Sequence, residues 1–389
     1  MPFFVQNPQI LEDLVFACLV MVNMGPPSGA QQKSSNIVFI PMLIDTIKTG
    51  PVQSKTHCAV VLSQIVLEGA PAVEAIVHYP EFLHHCTMLV CSSSDDAKSE
   101  AALLVNNLAA LADEEVQSRL SGHAALVGAL KSVVQYGGPV QQCRSAGAFM
   151  HLSKASIPRE ALRSSRANEA LENTIRARIK DKNPTPDQRA TLGLATMAHI
   201  NLMAGSAALL PLFQGPDARF EASLVQLLIE LLISSVQQRA LFGINWRLKD
   251  VLWSVRVLAG NISSFTLLLK SGLVEILGMI QESKHTSAHG QDADLIKKLV
   301  HGIHTSLVQS RQTLQQEEQE RQARESQTSA AATLQSIPPT QSSASDGISL
   351  LLQPGQSAES IPSLYQSKTT SPAPQKQATP AQSLQPGEH

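Results

Sequence analysis

Five helical faces along this chain carry side chains that could do chemistry. Counting back one and five positions from a recurring Leu or Ile gives the pairs His57/Val61, Leu103/Asn107, Gly147/His151, Ala195/His199 and Trp253/Val257. Residues four apart lie on one helical face. Amide and imidazole groups both donate and accept hydrogen bonds, so Asn107, His151 and His199 suit the paired donors and acceptors of a peptide backbone. Trp253 offers an apolar or cation–π platform beside them. If the two imidazoles act as neutral acceptors, protonation at about pH 6 to 6.5 removes both. The plainer alternative is that each histidine is a solvated or core residue.

A second candidate is basic. Arg159, Arg163 and Arg166 fall at i, i+4 and i+7 on one helical face, and guanidinium forks hold carboxylates or phosphates. The competing reading is a solvated face interleaved with Glu160, Glu169 and Glu172. Nucleic acid is disfavoured because no aromatic residue lies between Phe149 and Phe213 to stack on bases. His78, His84, His85, Cys86 and Cys91 gather around a predicted turn, yet no zinc spacing occurs, and no metal is expected. No phosphate loop, dinucleotide glycine pattern or Gly-x-Ser-x-Gly elbow is present. The expectation is a non-enzyme without cofactor or small-molecule substrate.

The elements that must position these residues repeat. The anchors Leu19, Leu62, Leu108, Leu152, Ile200 and Leu258 are separated by steps of 43, 46, 44, 48 and 58. A period in the forties is that of helical solenoids, whose units bury their apolar faces only against neighbours. Apolar residues make up 43% of the chain but aromatics only 4%, so the core must be Leu, Val, Ile and Ala, which suits stacked helices.

Two segments carry a closer likeness. Ala101–Ala109 precedes Ser121-Gly122-His123-Ala124, and Trp253–Asn261 precedes Lys270-Ser271-Gly272-Leu273; Asn36–Ile44 is a looser copy. In these residues the chain resembles the armadillo-repeat family over about residues 8–310. The resemblance implies an all-α, right-handed solenoid of about six repeats, armadillo or HEAT in its middle units. It also implies a concave groove lined by third helices, where an Asn ladder holds an extended peptide. The pairing of Trp and Asn on one helix that import adaptors use is missing here, so basic localisation signals are not the expected ligand. The function expected is a scaffold or adaptor for a protein or peptide partner. Two alternatives stand beside it: an Hsp70 nucleotide-exchange cofactor, and a cytoskeletal or ciliary component.

The expected organisation is a repeat domain over 1–310, a polar helix extension over 311–325 and a disordered Ser/Gln/Pro-rich tail over 326–389. That tail has only five charged side chains and too little apolar area to offset chain entropy. In it, Ser371-Pro372 and Thr379-Pro380 could take phosphate and dock on the arginine stripe, although such dipeptides are common in tails of this composition. Net charge is −2, so nothing in bulk draws the chain to anionic surfaces. Cys18, Cys58, Cys86, Cys91 and Cys143 read as reduced, buried thiols. The run Leu14–Val22 is too short to span a bilayer and lacks a preceding cation. A cytoplasmic location is expected, with the nucleus as an alternative.

Overall fold

The computed structural model describes residues 36–204, 218–282 and 292–335, together with Ala17. The anchor Leu19, Cys18, Ser371 and Thr379 lie outside the described residues. Among the described residues the regular elements are helical, save one isolated bridge between Leu241 and Ile244.

A 3-10 turn, Asn36–Phe39, leads into α1 (Ile40–Thr49) and α2 (Val52–Val66). Three complete triplets follow: α3 (Ala70–Val77), α4 (Phe82–Val90) and α5 (Asp95–Leu111); α6 (Glu114–Gly122), α7 (Ala124–Tyr136) and α8 (Pro139–Leu152); α9 (Ser156–Ser164), α10 (Ala167–Ile179) and α11 (Pro186–Met203). After these come α12 (Ala218–Val236), α13 (Leu248–Ala259), α14 (Ile262–Lys270), α15 (Leu273–Glu282) and α16 (Ala293–Gln335). Like packs on like. The third helices α2, α5, α8 and α11 lie in series with α13 against α11; α1, α4, α7 and α10 form a second row, and α6 packs on α9.

Local chemistry sets the start of each third helix. Ser94 accepts a hydrogen bond from the Ala97 amide and opens α5, with Asp95 and Asp96 in the first turn. Gly138 donates its amide to Gln141 Oε1 at 2.7 Å ahead of Pro139, the first residue of α8. Thr185 and Gln188 form a reciprocal capping box before α11, again with Pro at the first helical position. Such starts fix where each repeat begins, and hence which residues face the row.

The anchors Leu62, Leu108, Leu152, Ile200 and Leu258 are all buried in one continuous core. Gly272, with φ +75, makes the turn into α15 in a backbone region that only glycine enters cheaply. Gly122 does not play that part: it ends α6 with an ordinary φ, and the next helix is capped by His123, whose Nδ1 accepts from the Leu126 amide at 3.2 Å. The last helix runs on to Gln335, past the boundary expected after residue 325. From Arg311 to Gln327 its side chains are exposed except for Leu314.

Candidate functional site: the third-helix face

The four expected groove residues meet different fates. Asn107 is half-buried; its Nδ2 donates to the Ser63 carbonyl of α2 at 3.3 Å, and its Oδ1 accepts from Asn106 Nδ2 at 3.4 Å. It therefore already ties two repeats together, with one amide hydrogen and a lone pair left over. Next along the row, Arg144 of α8 donates to Glu100 Oε1 at 2.7 Å and to Ser99 Oγ at 2.8 Å on α5. Sequence reasoning missed Arg144 and Glu100, because their partners lie about one repeat away, and Asn106, which meets Asn107 beside it and Gly147 of the next repeat.

His151 is half-buried beside an ion pair. Its Nδ1 lies 3.3 Å from Lys154 Nζ, which donates to Asp250 Oδ1 at 2.6 Å. Burial, and then repulsion from Lys154, push the imidazole down to about 3. His199 is only 4% exposed and faces α10, where Asn168, Glu172 and Arg176 surround it. Burial lowers its pKa as well. The His151 ring is thus neutral at about pH 6, and the acid sensitivity expected of it there is corrected.

His199 is corrected as a groove residue. Every residue of α11 from Gly193 to Leu202 is buried, so this helix has no polar face to offer. Thr196, His199 and Asn201 are enclosed there together with the apolar side chains. One cover is visible: the Trp246 ring occupies the space that a Cβ on Gly193 would need, 2.7 Å from Cη2. Behind the anchors, Asn201 Nδ2 donates to Ser153 Oγ at 3.2 Å, and its Oδ1 accepts from Ser254 Oγ at 2.9 Å. That buried relay links α8, α11 and α13 and consumes the one asparagine of this helix.

Trp253 is half-buried, with the Arg256 guanidinium 5.8 Å from its ring centroid, so its face already has a cation. Two arginines of the stripe already have partners. Arg163 donates to the carbonyls of Leu202 and Ala204 and closes the C-terminus of α11, where cations are favoured; it also meets Glu160 at 3.0 Å. Arg166 caps α10 in a left-handed conformation, φ 60, and pairs with Glu169 at 2.7 Å. Arg159 is half-buried, and burial lowers its pKa.

No group of three His, Cys, Asp or Glu able to hold a metal occurs among the described residues. Cys58 and Cys86 are buried, and burial pushes the Cys86 thiol up to about 12; Cys91 is exposed, against expectation. No single described helix is long and apolar enough to cross a membrane.

A methyl at Gly147 would meet Asn106 Oδ1 across the α5–α8 contact, the end of a half-buried side chain that can turn aside. Alanine usually stabilises a helix interior relative to glycine by about 0.5–1 kcal/mol. Here the displacement of Asn106 offsets that gain, so Gly147→Ala should stay within about 1 kcal/mol of wild type. Urea unfolding checks this, and Gly147→Ala made in an Asn106→Ala background should be stabilising by the usual amount.

A three-helix unit, stacked like on like with a buried Leu or Ile anchor in each third helix, is now defined. The architecture is armadillo-like. No protein-family model and no curated protein matches the sequence. Among solved structures, a designed armadillo repeat protein in complex with the peptide (KR)4 is 16% identical, covers 69% of this chain and 99% of its own, and has a TM-score of 0.45. A computationally designed armadillo repeat protein for modular peptide recognition is 15% identical, with 69% and 99% covered and a TM-score of 0.45. An engineered protein from a structural genomics programme is 17% identical, with 70% and 97% covered and a TM-score of 0.48.

Proposed function

We propose that this chain is a non-catalytic scaffold that holds a peptide or domain of a partner protein along the third helices α2, α5 and α8. The observation that carries the reading is the row of half-buried polar groups on these helices. Asn107 and Arg144 are held in place by partners in the neighbouring repeat, at Ser63, Ser99 and Glu100. Side chains so ordered lose little further entropy on meeting a ligand, which favours binding. The site stops at α11, whose apolar surface is buried. Cys86, Cys91 and Cys143 are unbridged thiols, which suits a reducing compartment, and the reading includes a cytoplasmic location.

The test is selection from a random peptide library displayed against the full chain. Asn107→Ala should weaken the selected peptides by about 0.5–1.5 kcal/mol, the usual net worth of one hydrogen bond. Arg144→Gln should weaken them further, whereas Tyr136→Ala, at an 82% exposed residue of α7, should leave affinity unchanged. Calorimetry on variants with wild-type melting curves would read this. Loss in the Tyr136 variant with no change in the other two would move the site off the third helices.

A further inference from the structure

A second site lies outside that row. Between the end of α12, the segment 237–247, the first turn of α13 and the start of α16 there is a cavity of about 460 Å3. Its volume is within the usual range of small-ligand sites, but its wall is unusually cationic. Arg239, Arg247 and Lys249 line it against a single carboxylate, Asp292, which Lys249 meets at 2.9 Å. The guanidiniums of Arg239 and Arg247 have no hydrogen-bond or ion-pair partner among the described residues. Asp250, which Arg247 influences from further off, is already paired with Lys154, so the three cations against Asp292 leave about two positive charges in excess, with the amides of Gln238 and Asn245 beside them.

The wall is fixed before any ligand arrives. Gln238 and Phe242 hold left-handed backbone at φ 52 and 59, conformations that cost a non-glycine residue about 1–3 kcal/mol each. The segment is held in them by the Leu241–Ile244 bridge, by the Trp246 indole donating to the Leu241 carbonyl at 2.9 Å, and by Ser234 Oγ donating to the Arg239 carbonyl at 2.6 Å. Trp246 in turn is wedged against Gly193 of α11. Folding therefore fixes the backbone that carries two solvent-exposed guanidiniums, Arg239 and Arg247, at the mouth of the cavity.

We infer that this cavity is an oxyanion site that takes the head of a phosphate monoester. Guanidinium forks match the geometry of phosphate oxygens. The uncompensated double charge matches a group that carries about −1.5 to −2 at neutral pH better than it matches a single carboxylate.

Calorimetric titration of the full chain with O-phosphoserine, at constant ionic strength, tests the assignment. Saturable one-to-one uptake is expected, with serine and chloride giving none. Arg239→Gln and Arg247→Gln should each weaken uptake about tenfold, the loss of one charge-assisted contact, with helix content unchanged by circular dichroism. Lys182→Gln, at an exposed lysine ahead of α11, should bind as wild type. A phosphoserine peptide that binds at least tenfold tighter than the free amino acid would make the source a phosphorylated chain, and equal binding a free phosphate compound; both uphold the site. No saturable uptake, uptake matched by chloride or glutarate, or arginine variants that bind as wild type would overturn it.

Discussion

Leu108→Asp should abolish cooperative folding of the repeats on either side of it. Leu108 is fully buried in α5, between α2 and α8, and belongs to the continuous core. A carboxylate there has no cation within the apolar layer, so it must stay charged at a cost of several kcal/mol or take up a proton. Domains have only about 5–15 kcal/mol of stability in all. In a stacked solenoid much of that margin is the interface between neighbours, so the loss spreads to α2 and α8 instead of remaining local. Leu103→Asp, five residues earlier on the half-buried face of the same helix, should cost far less, because its carboxylate can reach water. Thermal melts by circular dichroism and limited proteolysis would compare the two. A Leu108→Asp chain that melts like wild type would place the core elsewhere.

That contrast also marks how far the sequence was legible. The anchor at Leu108 could be read because a 3.6-residue period and a repeat length are local properties of the chain. Gly272 was readable for the same reason: a turn needing positive φ announces itself by residue type. His199 was not. It occupies the same register position as Asn107, but α11 is enclosed on all sides, and whether a helix is covered depends on segments such as that of Trp246, 47 positions further on. Arg163 looked like one rung of a surface stripe, since nothing near it in the chain shows that the end of α11 lies within its reach. At the far end, α16 runs on to Gln335 through residues of mixed polarity that composition alone assigned to a tail. Hydrophobic period thus gave the layers, while the polar contacts between layers, spaced from about 40 to nearly 100 residues apart, gave the chemistry of the site and left no local trace.

Lys154→Met is expected to be the most destabilising change at any polar residue of the solenoid. Lys154, just beyond α8, and Asp250, in the first turn of α13, lie 96 positions apart and meet at 2.6 Å, with Asp250 only 7% exposed. Burial alone would raise the Asp250 carboxyl; the ammonium beside it, with His151 and Arg247 further off, more than reverses this and holds the carboxyl below its usual range. Removing Lys154 leaves a buried carboxylate without its partner, a change that costs about 3–5 kcal/mol in such sites. Replacing both, as Lys154→Met with Asp250→Leu, should come back to within about 1 kcal/mol of wild type, because an apolar pair of similar volume serves nearly as well. The neighbouring His151 supplies an independent check by pH. In the wild-type chain its folded pKa of about 3 lies below the unfolded value, so between those values the unfolded state binds more protons. Its contribution to stability is therefore intact above about pH 6.5 and falls as pH drops toward 3, by up to about 1.4 kcal/mol per pH unit. In Lys154→Met the nearest repulsion is gone and Asp250 remains, so the imidazole can accept a proton and become the missing counterion. The single variant should then lose less stability than wild type between about pH 6.5 and 4.5, narrowing the gap measured at neutral pH. Urea midpoints across that range, for wild type and both variants, would read it; parallel curves, or a single variant with the wild-type midpoint at pH 7, would mean that Lys154 is not what keeps Asp250 ionised.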